Sequence, residues 1–336
     1  MKGFILAAGY GTRLRPVTYT LPKPMVPLLN RPLIGWAVES FLAAGVRELI
    51  VNLHHLPEPL ERYLRAEYEG RATFDFSFEQ EILGTGGGIR RVRALLEGDE
   101  EFLLVNGDTV QFPPWEALRE ARRSTDALAA LTLRHPPEGD RFTAVYLDDG
   151  LVTGFGKGHG EPLMFAGSHV ISRRIFDYLP DREFSGIVEH SYQPLLDQQR
   201  ERLAGVVDDE LWFDIGTPQR YVAASGAMLD ATIVGRLAPA EGSRIEGDSL
   251  VHASARVRTA MHSVVGANCV VEGRVDDSVI WDGVRVDAGV TLERCIVGHG
   301  VHLQRGEYRD LLIVADDPAI PPEHERRDGV VAVQAG

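Results

Sequence analysis

The residues best suited to chemistry come first in the chain. An apolar run over residues 3–8 leads into Ala8-Gly9-Tyr10-Gly11-Thr12-Arg13-Leu14-Arg15-Pro16. A glycine-rich turn after a first strand lets backbone N–H groups approach and cradle phosphate oxygens. No Gly-Lys-Ser/Thr closes the turn, so it is not a P-loop. Leu14 stands where a dinucleotide fingerprint needs its third glycine. Farther on, Lys23 sits between Pro22 and Pro24, which fix its backbone direction and suit it to an electrostatic contact with a phosphate. The chain holds only three lysines (Lys2, Lys23 and Lys157) against thirty-two arginines. A lysine in such a sequence hints at a site that needs a compact point charge rather than a planar fork.

Composition sets the outer bounds. With 336 residues, the length suits two domains, and a 44% hydrophobic, 25% charged composition is that of an ordinary globular chain. Net charge is -14, which argues against broad nucleic-acid or membrane-surface binding. Phosphate binding then depends on a few cations placed locally. No stretch reaches the roughly 18 to 20 apolar residues of a membrane span. The N-terminus reads as a buried strand and not as a signal peptide, because arginines 13 and 15 follow and no cleavage-type tail appears. Cys269 and Cys295 fit neither a disulfide framework nor a zinc site, which favours a reducing, cytoplasmic setting.

Positioning the glycine turn requires a layered α/β domain. Residues 3–8 have the pattern of a parallel strand buried on both faces. Helices are expected at 32–44, 57–66, 88–96 and 115–124, and strands at 48–53, 73–78 and 101–105. This alternation implies a doubly wound, largely parallel, Rossmann-like sheet with ligands beyond the strand carboxyl ends.

From about residue 243 the texture changes. Aliphatic residues recur every six positions: Ile245, Val251, Val257; Val265, Val271; Ile280, Val286, Leu292; Val297, Leu303. Two residues before each stands a small or β-branched one: Ser243, Ser249, Ala255, Ser263, Cys269, Ser278, Val284, Val290, Cys295, Val301. A six-residue period with these positions turned inward is the signature of a parallel β-helix, here of about three coils. It resembles the left-handed hexapeptide-repeat family. Both cysteines fall on inward small positions, where they read as core filler. The organisation expected is a catalytic domain over 1–232, a β-helix over 240–315 and an irregular tail over 316–336.

The N-terminal motifs carry a more specific resemblance. Leu6-Ala7-Ala8-Gly9-x-Gly11-Thr12-Arg13-Leu14-x-Pro16-x-Thr18 with Pro22-Lys23-Pro24 resembles the signature of the sugar-phosphate nucleotidylyltransferase family. Glu81-Ile82-Leu83-Gly84-Thr85-Gly86-Gly87-Gly88 resembles that family's second glycine-rich loop, which lies over base and ribose. Val105-Asn106-Gly107-Asp108 resembles the segment whose aspartate binds magnesium. Phe213-Asp214-Ile215-Gly216-Thr217-Pro218 resembles the one supplying the second metal carboxylate. The likeness spans residues 1–230, and a hexapeptide tail is a common companion.

The resemblance implies an enzyme that joins a nucleoside triphosphate to a sugar-1-phosphate and releases pyrophosphate. It implies Arg13, Lys23, Asp108 and Asp214 as catalytic residues, with Mg²⁺ held by Asp108 and Asp214. Leu6, Ala8, Gly9, Gly11, Thr12, Gln80, Glu81, Gly84, Thr85 and Gly107 join Arg13, Lys23 and Asp108 around the nucleotide. A sugar phosphate is largely dianionic at neutral pH and needs no general base. Catalysis is therefore positioning plus charge neutralisation.

On the sugar side the family often carries a Glu before the contacting Lys; Gly154-Phe155-Gly156-Lys157-Gly158 keeps the Lys and lacks the Glu. Lys157, Gly167 and Glu189 are the candidate sugar-phosphate contacts. Leu83-Gly84-Thr85-Gly86-Gly87 most resembles guanylyltransferases for mannose- or heptose-1-phosphate. The run from Thr85 to Ile89 also resembles uridylyltransferases acting on N-acetylmuramate-1-phosphate. A non-catalytic regulatory paralogue that binds nucleotide sugar is a different class, and the four intact charged residues oppose it. His252, His262, His299 and His302 in the repeats raise an acyl-transfer alternative, without a second motif. His54-His55 reads as a loop pair. Self-association is expected through the β-helix.

Overall fold

The computed structural model describes residues 1–335 apart from 138, 140 and 141. It divides into two compact units, Met1–Gly9 with Ile34–Trp212, and Tyr10–Leu33 with Phe213–Gly336.

The first unit is built on a nine-stranded sheet. Its order is Thr73–Phe78, Glu48–Leu53, Gly3–Leu6, Glu101–Asn106, Glu161–Ser172, Ala129–Arg134, Leu203–Val207, Leu151–Phe155, Val145–Asp148. The first four strands run parallel. They are the apolar runs read from the sequence, and Phe4, Ile5, Ile50, Val51, Leu103 and Leu104 are fully buried. The expectation of a largely parallel sheet fails beyond them. Glu161–Ser172 enters antiparallel to both its neighbours, Leu203–Val207 is parallel to Ala129–Arg134, and the last two pairings are antiparallel. Val145–Asp148 pairs back onto Glu161–Ser172, closing this half of the sheet on itself. Hairpin connections need only short loops, whereas each parallel step needs a crossover.

The helices Leu33–Ala43, Pro57–Glu67 and Trp115–Ser124 lie where periodicity puts them. The one expected over 88–96 starts earlier, as Gly84–Arg91 followed by a 3-10 turn Arg93–Leu96. Four of its first five residues are glycines, poor helix formers. The backbone supplies the missing anchor: the Gly86 and Gly87 N–H groups donate to the Ser185 carbonyl at 2.8 and 3.2 Å. Two donors that every helix start leaves orphaned are thereby satisfied.

The second unit contains the β-helix. One ladder stacks Val251, Val265, Ile280, Val297 and Ile313 in parallel register, and a second stacks Val257, Val271, Val286 and Leu303. The third side stacks Ala260, Val275, Leu292 and Tyr308; of these only Leu292 stands in the hexad pattern, the others falling at the uneven spacings between hexads. All three faces feed one apolar core. The small inward positions carry a polar ladder inside it. Ser249 Oγ accepts from the Ser263 N–H at 3.1 Å, Ser263 Oγ from the Ser278 N–H at 3.0 Å, and Ser278 Oγ from the Cys295 N–H at 2.9 Å. Each buried hydroxyl is therefore satisfied between coils. Cys295 ends this ladder, and burial pushes both thiols up, Cys269 to about 11. They are unpaired and buried, as core filler should be.

The expected irregular tail is corrected. Val330–Gln334 forms a strand antiparallel to Leu311–Ala315, and Arg326–Arg327 pairs outside it. Val330 and Ala332 pack on the β-helix core, and Val331 is buried as well. At the other end Ser243–Glu246 folds antiparallel onto Ser249–His252. This ladder therefore ends in antiparallel strands at both ends and leaves no parallel edge open to another coil.

Candidate active site

In the second unit, the phosphate-type loop is locked by its own side chains. Gly11 has φ +62°, and a Cβ there would lie 2.8 Å from Lys23 Cβ and 3.0 Å from Thr18 Cγ2. Only glycine meets both demands. Thr18 Oγ1 donates to the Gly11 carbonyl at 2.9 Å. Thr12–Leu14 and Lys23–Met25 are single 3-10 turns, the second entered through extended Pro22.

These turns bring Lys23 and Arg13 to one carboxylate. Asp214, ending the strand Trp212–Asp214, lies 3.7 Å from Lys23 Nζ and 3.9 Å from an Arg13 guanidinium nitrogen. Arg220 donates to it at 2.9 Å. Lys23 is nearly buried (6% exposed), whereas Arg13 is 62% exposed. Arg13 rests over Gly216, where a Cβ would come within 2.8 Å of the guanidinium. Thr217 caps the following helix Pro218–Ile233 by accepting from the Arg220 N–H. Sequence reading placed Lys23, Arg13 and Asp214 but missed Arg220. Its signal was its place in the first turn of a helix opened by Asp214-Ile215-Gly216-Thr217-Pro218.

The first unit holds the other stations. Leu6 ends the first strand, and the Gly107 N–H donates to its carbonyl at 2.8 Å. A side chain at 107 would strike Ile5 at 2.8 Å, so Gly107 allows the segment carrying Asp108 to pass close to the first strand. Ala8 and Gly9 follow directly in the loop. Asn52 and Glu79, both nearly buried, went unnoticed in the sequence. Asn52 Oδ1 accepts from the Ala7 N–H at 2.6 Å, and Asn52 Nδ2 donates to Glu79 at 2.8 Å. The other Glu79 oxygen accepts from the Leu83 N–H at 3.0 Å. This relay ties the end of the first strand to the second glycine loop. Gln80 and Glu81 are exposed beside it.

Three glycines of that loop face the 183–186 segment. A Cβ on Gly84 would meet the Ser185 carbonyl at 2.7 Å, on Gly86 the Ser185 hydroxyl at 2.7 Å, and on Gly87 the Glu183 carbonyl at 2.3 Å. Their absent side chains admit the 183–186 segment; Thr85 stands among them, half-buried.

Of the three residues expected to contact the sugar phosphate, Gly167 has φ +94° in a bulge of Glu161–Ser172, and a Cβ there would lie 2.6 Å from Asn106 Nδ2. Glu189 is exposed on a π-helical turn, Val188–Tyr192. Tyr192 is bound at 2.9 Å to His169, whose imidazole burial pushes down to about 3. Lys157 is exposed on a tight turn after Leu151–Phe155, folded so closely that a Cβ on Gly154 would overlap the Lys157 carbonyl.

The histidines have ordinary partners. His54 bonds the Glu79 carbonyl at 2.9 Å, His302 bonds Asp287 at 3.0 Å, and His252 bonds Ser254 at 2.8 Å. His262 bridges Asp277 and Asp230, and His299 lies against Trp281. Among the described residues no group of three or more His, Cys, Asp or Glu could hold a metal. Asp108 and Asp214 each offer a carboxylate, the donor type suited to Mg²⁺, a hard cation that takes one or two carboxylates and leaves other positions to water and phosphate. No helix among the described residues is long and apolar enough to cross a membrane.

Comparison with known proteins finds two families along the chain. Residues 2–231 match the family described as Nucleotidyl transferase. Residues 240–325 match the family described as GlmU-like, C-terminal hexapeptide. The chain is 32% identical over 306 residues to a mannose-1-phosphate guanylyltransferase of Mycobacterium tuberculosis, covering 86% of this chain and 82% of that one. It is 30% identical over 319 residues to a probable mannose-1-phosphate guanylyltransferase of Oryza sativa, covering 91% and 83%. The solved structure of HddC from Yersinia pseudotuberculosis superposes with a TM-score of 0.56 at 25% identity, over 68% of this chain and 99% of that one.

Proposed function

The chain belongs to the nucleotidyl transferase family and is a nucleotidyltransferase enzyme, and from that premise we propose that it joins GTP to mannose-1-phosphate or a closely related sugar-1-phosphate. The observation that carries the reading is the convergence of Lys23, Arg13 and Arg220 on Asp214, beside a glycine turn built for phosphate. The guanine and mannose assignments are supported by the likeness to the two named relatives.

An oxygen of the sugar phosphate attacks the α-phosphorus of the triphosphate, and pyrophosphate leaves in line. The nucleophile is already ionised, so the residues have no proton to move. Their task is to bring two anions together. Lys23 supplies a buried point charge, and the exposed Arg13 a planar one. Gly9, Gly11 and Thr12 offer backbone donors to phosphate. The loop from Gln80 to Thr85 takes the base and ribose, and Lys157, Gly167 and Glu189 take the sugar phosphate. Mg²⁺, with Asp108 and Asp214 as its protein ligands, would supply neutralisation of the charge that develops during displacement. Asp214 has a second task, to hold Lys23, Arg13 and Arg220 in place.

The two unpaired cysteines suit a reducing, cytoplasmic setting. Self-association runs through the flat faces of the β-helix. Four nucleoside triphosphates assayed against mannose-, glucose-, heptose- and N-acetylmuramate-1-phosphates, read by pyrophosphate release, test the proposal. Highest efficiency with GTP and mannose-1-phosphate is expected. Preference for UTP and N-acetylmuramate-1-phosphate would replace it with the uridylyl reading, and no release in any combination would replace it with a binding role.

A further inference from the structure

The β-helix is bonded to the segment that carries Lys23. Trp281 lies on the repeat ladder, 4% exposed, and its indole Nε1–H donates to the Tyr221 hydroxyl at 2.9 Å. Tyr221 lies one residue beyond Arg220 on the helix that follows Asp214, and is 1% exposed. Its hydroxyl in turn donates to the Pro27 carbonyl, four residues past Lys23. A second link runs beside the first. Asn30 Nδ2 donates to Ser243 Oγ at 3.1 Å and to the Val265 carbonyl at 3.0 Å, both in the repeats. Asn30 sits in the turn between Pro27–Leu28 and Arg31–Pro32 with φ +61°. Residues 10–33 accordingly form one compact unit with the repeats and with Asp214.

We infer that the β-helix is a working part of the triphosphate site: through Trp281–Tyr221–Pro27 and Asn30 it sets the position of Lys23 relative to Asp214. The physical case is one of satisfied polar groups. Tyr221 is inaccessible to water, and its hydroxyl has one donor and one acceptor partner, each holding the other in line. Any shift of the Pro22–Pro27 segment along the β-helix would break buried bonds on both links. Lys23 keeps its ammonium 3.7 Å from Asp214 only while that segment stays put. A charge used for positioning loses effect steeply when displaced, so the scaffold acts on catalysis without touching substrate. Tyr221, Trp281 and Asn30 are positioning residues.

This inference rests on the reading of Lys23 as a triphosphate contact, and the experiment separates the two. In the full chain, Trp281→Phe and Tyr221→Phe remove one polar group each and keep the ring. Asn30→Gly removes both side-chain bonds and preserves a left-handed backbone. KM and kcat are measured for GTP and for mannose-1-phosphate, or for the pair the substrate screen selects, with thermal unfolding alongside. The expected result is a rise of roughly fivefold or more in KM for the triphosphate, or a matching fall in kcat, from loss of one neutral hydrogen bond. KM for the sugar phosphate should stay within about twofold on the same scale. Lys23→Ala serves as the reference. If it raises the triphosphate KM and none of the three scaffold variants does, the inference is overturned while the site reading stands. If Lys23→Ala itself leaves triphosphate KM and kcat unchanged, the site reading falls and the inference with it. Scaffold variants whose melting temperature drops while both KM values and kcat hold would make these bonds structural only.

Discussion

The ammonium of Lys23 lies 3.7 Å from the carboxylate of Asp214, and the lysine side chain is almost wholly buried. A buried ammonium is tolerated only when paired, and here the pair is shared with Arg220 and Arg13. One carboxylate therefore touches three cations and offsets one of their three positive charges.

Asp108→Asn is expected to abolish most turnover with the fold intact, and Asp214→Asn to abolish it while also lowering the melting temperature, because it unpairs the buried Lys23 ammonium. Asn keeps the shape of each side chain and removes the charge a magnesium ligand needs. Turnover at saturating Mg²⁺ is the measurement, and near-normal activity in either variant would remove that residue from the metal site.

Two glycine substitutions should behave in opposite ways. Gly87→Ala places a Cβ 2.3 Å from the Glu183 carbonyl, a backbone atom that cannot step aside, so the melting temperature should fall clearly. Gly216→Ala has the far end of Arg13 as its nearest neighbour, at 2.8 Å, and that end can swing away. Its melting temperature should stay near the parent's while triphosphate efficiency drops. Equal thermal losses in both would refute the distinction.

Lys157→Ala should remove a charge-assisted hydrogen bond worth roughly 1.5–3 kcal/mol, about 10- to 150-fold in sugar-phosphate efficiency. Triphosphate affinity should change little. Lys157→Arg should also impair the enzyme, because a planar fork does not replace a compact ammonium. A loss falling equally on triphosphate binding would move Lys157 to the nucleotide side.

Glu79→Gln tests the buried relay. Glutamine accepts with one atom only and turns an N–H toward either Asn52 or the Leu83 amide. The second glycine loop should loosen, raising KM for the triphosphate more than KM for the sugar phosphate. An unchanged triphosphate KM would count Glu79 as structural.

His262 gives a pH signature. Burial works against its charged form, but the bonds to Asp277 and Asp230 outweigh it and hold its pKa above the ordinary imidazole value. Asp248 accepts from the His262 N–H, and Arg294 lines the same cavity. A raised folded pKa means stabilisation that is complete below about pH 6.5 and is lost as pH rises through the folded value. The melting-temperature gap between the parent and His262→Gln should be widest near pH 6 and shrink toward pH 9. A gap independent of pH would show that the imidazole stays neutral.

The sequence by itself determined the strands of the parallel half, the hexad ladder and the inward cysteines. Each depends on local periodicity, and a period of two, of six or of an unbroken apolar run survives without its neighbours. It also singled out Lys23, Arg13 and Asp214, because glycine, proline and charge occur there in an uncommon order. Only the tertiary structure decided the rest. Asn52, inside an apolar strand, and Glu79, just past another strand, carry no motif, and only burial leaves each a single set of partners. The antiparallel half of the sheet and the final strand Val330–Gln334 depend on which edge is free once the core has formed. Of the third β-helix face only Leu292 falls in the six-residue count; Ala260, Val275 and Tyr308 show only in the coil register. The link from Trp281 through Tyr221 to Pro27 joins three distant segments that no spacing rule connects. Local patterns record what each segment buries, whereas buried hydrogen-bond partners are settled only by the segments that arrive opposite.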